Sequence, residues 1–216
     1  MFLFHGLLTF CIHFVTYWGM VIKYDEKIIL DPTMNSLKNQ FGATLPLSLL
    51  LFNDYYPVEY GNIFASLICI PFIICVSDIY FYCTHRPLHT ALLWGYHRTH
   101  HHNTVIVAKS LDADLLEHVV GNLGSFIVGF LILRYFGFIF NIYIYHIWVF
   151  VSTVSTCASH AGKRVLGDIG IHSLHHKYLK CNYGTGFYIV DRLMGTYRAW
   201  WKIFLYKLYI KNVNKT

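Results

Sequence analysis

"HRPLHTALLWGYHRTHH", residues 85–101, carries five histidines in seventeen positions and continues a long apolar run without a break. That run begins near Ile63 and reaches the histidines through "SDIYFYCTHR". Some seventy positions later "HSLHH" (172–176) repeats the ending of the stretch. The fold follows from what these groups are attached to.

The chain has 216 residues, of which 56% are hydrophobic and 13% charged. That length suits one domain better than two. No Asp, Glu, Lys or Arg occurs in residues 1–22, 39–53, 60–77, 118–133 or 135–162. Several of these runs approach the ~20 apolar residues that cross a bilayer as a helix. The expected class is therefore an all-α polytopic membrane protein, with about four transmembrane helices in two hairpins. Residues 1–22 lack a basic leader and a small-residue cleavage site, so a retained membrane helix is expected there. Six cysteines without a C-x-x-C pair read as small apolar residues in a reducing compartment, not as a disulfide framework. The net charge of +6 is scattered, which fits basic loops beside anionic lipid and gives no sign of nucleic acid as a partner.

Moving outward, "KYDEKIILDPTMNSLKNQ" (23–40) reads as a polar loop, and "NDYYPVEYG" (53–61) separates the next two apolar stretches. The segment 39–53 could span, re-enter or lie flat. Residues 118–158 read as a hairpin turning near Arg134 to Gly137, which returns the chain to the histidine side before His160. Thirteen of the seventeen Lys and Arg fall on that side, so the positive-inside rule points the histidines at the cytosol. The tail "YRAWWKIFLYKLYIK" has no single cationic face and reads as interfacial packing.

The histidine spacing has a chemical use. H-x-x-H-H occurs at His97/His100/His101 and again at His172/His175/His176, and His85/His89 precede the first copy. Chance would supply about 0.05 copies at this histidine content. On a helix, positions i and i+3 or i+4 share a face and can grip one metal. The adjacent third imidazole points ~100° away, toward a second metal. So many donors imply a two-metal centre, and imidazole suits iron, zinc and copper. A structural zinc site would commonly include cysteine, which the spacing does not offer.

With these motifs in hand, the sequence resembles the fatty acid hydroxylase superfamily, which includes sterol desaturases and C-4 methylsterol oxidases. "HRPLH" (85–89), "HRTHH" (97–101), "SHAG" (159–162), "HSLHH" (172–176), "NYG" (182–184) and "DRLMGTYR" (191–198) match in order. The resemblance covers roughly residues 60 to 198. It divides the chain into an N-terminal membrane part (1–59), a catalytic domain (60–198) and a basic, aromatic tail (199–216). It implies a cytosolic, histidine-bound pair of iron ions, replaceable by zinc on purification, in a multi-pass protein of the endoplasmic reticulum. Such an enzyme uses O₂ to hydroxylate or desaturate a lipid, with electrons from cytochrome b5 or a similar reductase. The ligands it implies are His85, His89, His97, His100, His101, His160, His172, His175 and His176. It also points to Asn182, Glu117 and Asp114 as residues around the ligands. Glu117 and "SHAG" follow the sterol pattern, so a sterol is the expected substrate, with an acyl chain the alternative. The sequence departs from that pattern where Asp114 replaces a histidine.

Other residues have plainer readings. His102 lies one position past the motif and is expected to face solvent or support a ligand. His5, His13 and His146 read as hydrogen-bonded packing, while His118 stays open. Asp112 and Asp78 could orient imidazoles or simply be interfacial acids. Pro87 is expected to end or kink its helix between His85 and His89. Two rivals remain from the sequence alone: a histidine-rich membrane metal transporter, and a b-type haem protein using His5, His13 or His146.

Overall fold

The structure, a computed structural model, describes residues 2–25, 30–51, 58–101, 106–161 and 171–199. Four helices are long and apolar enough to cross a membrane: Leu3–Tyr24, Ile63–Leu88, Leu115–Tyr135 and Ile142–Ser159. We label the helices α1 (Phe2–Tyr24), α2 (Leu30–Asn39), α3 (Leu45–Leu50), α4 (Ile63–Leu88), α5 (Trp94–His101), α6 (Leu115–Glu117), α7 (Gly124–Tyr135), α8 (Ile142–Ser159), α9 (Ile171–Tyr178) and α10 (Ile189–Leu193). The all-α polytopic expectation holds. The strands β1 (Val58–Glu59) and β2 (Phe140–Asn141) are only two residues each and pair in parallel.

The long helices start where polar caps replace missing backbone bonds. Asn62 accepts from the Ala65 amide at the start of α4, and Asn141 from the Tyr143 and Ile144 amides at the start of α8. α4 continues through Pro87 and stops at Leu88, so His89 sits as its cap. The expected hairpin is present: α7 ends at Tyr135, Gly137 turns at φ +77°, and α8 runs back to the histidines. Ile73 of α4, Phe130 of α7, and Tyr145 and Val149 of α8 share one buried cluster. Phe64 and Ile68 are 77% and 78% exposed, as expected of residues facing lipid.

The segment after α1 corrects one expectation. Residues 30–39 of the supposed polar loop form α2, whose Ser36 and Asn39 are buried against the main chain of residues 108–113. Asn39 Nδ2 donates to the Leu111 and Ala113 carbonyls, and Ser36 Oγ to that of Ala108. Polarity here marks internal hydrogen bonding, which a loop reading by composition overlooks. A wide i→i+5 turn (Gln40–Thr44) joins α2 to α3. The whole segment returns along α1, since Tyr17 bonds Ser36 near the histidine end and Gly6 abuts Ser48 at the opposite end. A Cβ on Gly6 would lie 2.8 Å from the Ser48 carbonyl oxygen, so this approach requires glycine. The chain thus reaches α4 from the end opposite the histidines.

Candidate metal centre

Four pieces of the fold meet at one end of the bundle. The end of α4 supplies His85 with His89 just beyond it, α5 supplies His97, His100 and His101, the end of α8 supplies His160, and α9 supplies the rest. Their donor atoms form two groups. One holds His85, His89, His97, His101 and His175, and the other His100, His160, His172 and His176. Within each group the donor atoms all lie within 4.8 Å of one another. All nine histidines singled out by sequence are here. The helix spacing left i+3 or i+4 open, and the structure uses i+4. His97 pairs with His101 while His100 crosses to the second group. His172 pairs with His176 while His175 crosses to the first.

The ring nitrogens show what the groups can hold. His85 Nδ1 donates to the Tyr183 carbonyl at 2.8 Å, and His175 Nδ1 to the Cys181 carbonyl at 2.7 Å. His160 Nδ1 donates to the Thr156 carbonyl at 3.0 Å, and His97 Nδ1 lies 2.7 Å from the Glu117 carboxylate. A neutral imidazole with its proton on Nδ1 presents a lone pair at Nε2. Yet the Nε2 atoms of His85 and His97 face each other at 3.0 Å. The other facing pairs are His97/His101 at 2.8 Å, His101/His175 at 3.2 Å, His100/His160 at 3.2 Å, His172/His176 at 3.2 Å and His85/His89 at 3.4 Å. Two lone pairs that converge, as at His85 and His97, repel unless a cation lies between them. Metal–nitrogen bonds of ~2.1 Å, opened by 90° to 109°, would set neighbouring nitrogens ~3.0–3.4 Å apart. The residues fit a bound metal.

Electrostatics agree. Burial, reinforced by neighbouring imidazoles, holds His100, His172, His175 and His176 well below the usual imidazole range. Burial lowers His89 and His160 to about 4. His97 and His101 shift the same way for the same first reason. These rings are neutral at physiological pH, the form that ligates metal.

A supporting loop was less legible. Cys181 and Tyr183 carry the carbonyls that fix His175 and His85, so residues 181–185 serve ligands from two helices. Fully buried Asp191 accepts from the Tyr183 and Gly184 amides and from the Thr196 hydroxyl. Asp78 accepts from the Thr185 and Ile189 amides, so it acts on this loop and not on an imidazole. Gly184 lies between the two carboxylates, where a Cβ would be 2.2 Å from Asp78 Oδ1. Asn182 adopts φ +55° and is fully buried. Its side chain bonds the main chain of Ile171 and Arg198, tying α9 to the segment after α10. The only sequence trace of this arrangement was the co-occurrence of "NYG" and "DRLMGTYR".

Glu117 meets His97 as an orienting carboxylate would, whereas Asp114 caps α6 through the Leu116 amide. Asp112 accepts from Asn35. His5 and His146 stack at the opposite end of the bundle, and His13 bonds Thr153. His102, Gly162 and the tail from residue 200 lie outside the described residues, so their expected roles are not addressed by the structure.

The profile of the fatty acid hydroxylase family matches residues 70–196, a span containing all nine histidines. The chain belongs to that family. It is 25% identical to a Dictyostelium discoideum protein provisionally named as a methylsterol monooxygenase, over 87% of this chain and 82% of the relative. It is 31% identical to a Delta(7)-sterol 5(6)-desaturase of Gibberella zeae, over 89% of this chain and 60% of the relative. A fatty acid hydroxylase of Mycosarcoma maydis is 28% identical, over 78% and 48% respectively. No solved structure matches the chain.

Proposed function

We propose that this protein is a membrane-bound di-iron oxygenase that hydroxylates or desaturates a lipid, with a sterol as the favoured substrate. The observation that carries this reading is the pair of adjoining groups of neutral imidazoles with converging Nε2 lone pairs. His85, His89, His97, His101 and His175 would hold one iron, and His100, His160, His172 and His176 the other. Bound iron would supply the O₂ activation needed to oxidise an unreactive C–H bond.

The chain's own residues do the positioning. The Tyr183, Cys181 and Thr156 carbonyls and the Glu117 carboxylate hold the Nδ1 protons, which keeps Nε2 directed inward. Trp94 stacks on His101 with centroids 5.6 Å apart, and the Tyr183 ring lies 5.2 Å from that of His89. These aromatic groups exclude water from the donor atoms. Long apolar helices beside the site supply a route from the bilayer for a lipid.

The names of the sterol-acting relatives, and Glu117 in its sterol-type position, favour a sterol. The Mycosarcoma maydis relative keeps acyl-chain hydroxylation as the second reading. A metal transporter would need donor sites along a path, whereas these nine form two adjoining groups at one end. We place the histidines on the cytosolic face, because Arg86, Arg98 and Lys109 lie on that side and Arg134 on the other, and in the endoplasmic reticulum as the family resemblance implies. Electrons would then come from cytochrome b5 or a similar cytosolic donor.

Two measurements test the function together. Elemental analysis of purified protein should find close to two iron ions per chain, or zinc after aerobic handling. Lipid profiling of cells with and without the protein should reveal an oxygenated or desaturated sterol. Active protein that carries no metal would refute the proposal.

A further inference from the structure

Below the histidine centre, at membrane depth, the bundle contains polar groups that the metal chemistry does not use. His13 on α1 faces Thr153 on α8, with Nδ1 to Oγ1 at 3.0 Å. Thr153 spends its own proton on the Val149 carbonyl, so it accepts from His13 Nδ1 and leaves His13 Nε2 as a lone pair. Gln40, fully buried, accepts from the Trp18 indole through Oε1, and its amide group remains a donor. Among the described residues, His13 Nε2, Gln40 Nε2 and the Thr9 hydroxyl are buried without a hydrogen-bond partner.

These groups belong to one seam. Thr9 and His13 lie one turn apart on α1, and Gln40 and Thr44 bracket the wide turn between α2 and α3. The first of these turns packs on the stretch of α1 that carries His13, since Phe41 lies against Phe10 and Phe14 and Gln40 bonds Trp18. Thr44 bonds His118 at 3.0 Å, and His118 opens a second wide turn (His118–Leu123). Wide turns of this kind concentrate at functional sites. Interhelical packing accounts for the His13–Thr153 and Thr44–His118 pairs. It does not account for the buried polar atoms left over, which are costly where no water is available. The seam also adjoins the metal centre, because His118 follows Glu117, the partner of His97.

We propose that this seam binds the hydroxyl group of the lipid substrate. A hydroxyl both donates and accepts, and the seam offers both complements: the His13 lone pair takes its proton, and the Gln40 amide donates to its oxygen. A plain acyl segment would leave both unpaired. The substrate is therefore an alcohol-bearing lipid of the sterol kind, held by its hydroxyl while another carbon faces the histidines. This inference rests on the lipid-oxygenase reading above.

The test measures binding of a 4-methylsterol and of its 3-deoxy analogue to the full-length protein in nanodiscs, with metal content and thermal unfolding recorded for each variant. Wild type should prefer the alcohol at least tenfold. His13→Phe and Gln40→Leu should bring that ratio close to one at unchanged metal content, and His13→Gln, which keeps an acceptor, should restore part of it. If His13→Phe does not fold, Gln40→Leu and Thr9→Val carry the comparison. Variants that keep the full wild-type preference would overturn the seam as a hydroxyl site and assign its polar atoms to buried water. Equal binding of both lipids by wild type would also overturn it, while leaving the oxygenase reading standing. Metal-bearing protein that binds neither lipid would overturn the sterol assignment along with the seam.

Discussion

His101 and His102 are neighbours of identical chemistry, and the motif assigns a ligand role to His101 alone, which the structure places in the first candidate metal group. Its Nε2 lies between those of His97 and His175, at 2.8 and 3.2 Å. His101→Ala should therefore abolish lipid oxidation and lower the metal content while membrane insertion persists. His102→Ala should leave most activity, because the motif ends one residue earlier. Equal activity of the two variants at equal protein level would show that motif position does not identify ligands. Glu117 offers a graded case. Removing its carboxylate in Glu117→Ala frees the His97 ring from its orienting partner, and losses of about 10–100-fold in metal affinity or activity are typical of such changes. Metal titration of the apo-protein would read this directly, and an unchanged affinity would remove Glu117 from the centre.

At the scale of elements, the candidate metal centre depends on a loop with little regular structure. Residues 181–185 are held by two buried carboxylates, nearby Asp191 and distant Asp78, and their carbonyls then hold His175 and His85. Gly184→Ala should be severely disruptive, because the new methyl would overlap Asp78 Oδ1 at 2.2 Å. Asp78→Ala should strand the half-buried Thr185 and Ile189 amides, at a cost of up to about 1–3 kcal/mol for each group that water cannot reach. Both variants should lower the unfolding temperature and the metal content together, measured on detergent-solubilised protein. A variant that loses stability but keeps wild-type metal binding would show that the loop does not position the ligands. Helix α2 gives the same lesson. Its asparagines and Ser36 look like a solvated loop in the sequence, but they bind main-chain carbonyls of residues 108–113.

For the whole molecule, gathering so many neutral imidazoles makes the centre sensitive to acid. Burial places the folded pKa values of these histidines below the ordinary value of 6.5, to about 4 for His89 and His160. As pH falls through 6.5 the unfolded chain takes up protons before the folded chain does, so stability declines from there down to about 4. Above 6.5 both states are neutral, and these groups add no pH dependence. Metal retention should outlast that decline while the chain stays folded, since an imidazole stops ligating only when it is protonated and burial delays this to about 4 for His89 and His160. Dialysis of folded protein at stepped pH should show retention level through 6.5 and falling only toward about 4. Loss of the metal at pH 6.5 from protein that is still folded would contradict the burial of the centre.

The sequence by itself determined the membrane-helical class, the α7–α8 hairpin and the nine histidines. Each rests on a local rule: an apolar run long enough to cross a bilayer, a turn residue, a spacing that puts imidazoles on one helix face. Other features depended on segments far apart in the chain. Only the tertiary structure decided that His100 and His175 cross between groups, because that exchange depends on how α5 and α9 approach each other. The roles of Asp78, Asp191, Cys181 and Tyr183 were likewise hidden, since two act through main-chain carbonyls and two through amides up to 111 positions away. The same holds for His13 and Gln40. Their chemistry is visible in the sequence, but which of their atoms remain unpaired depends on the partners that folding brings to them.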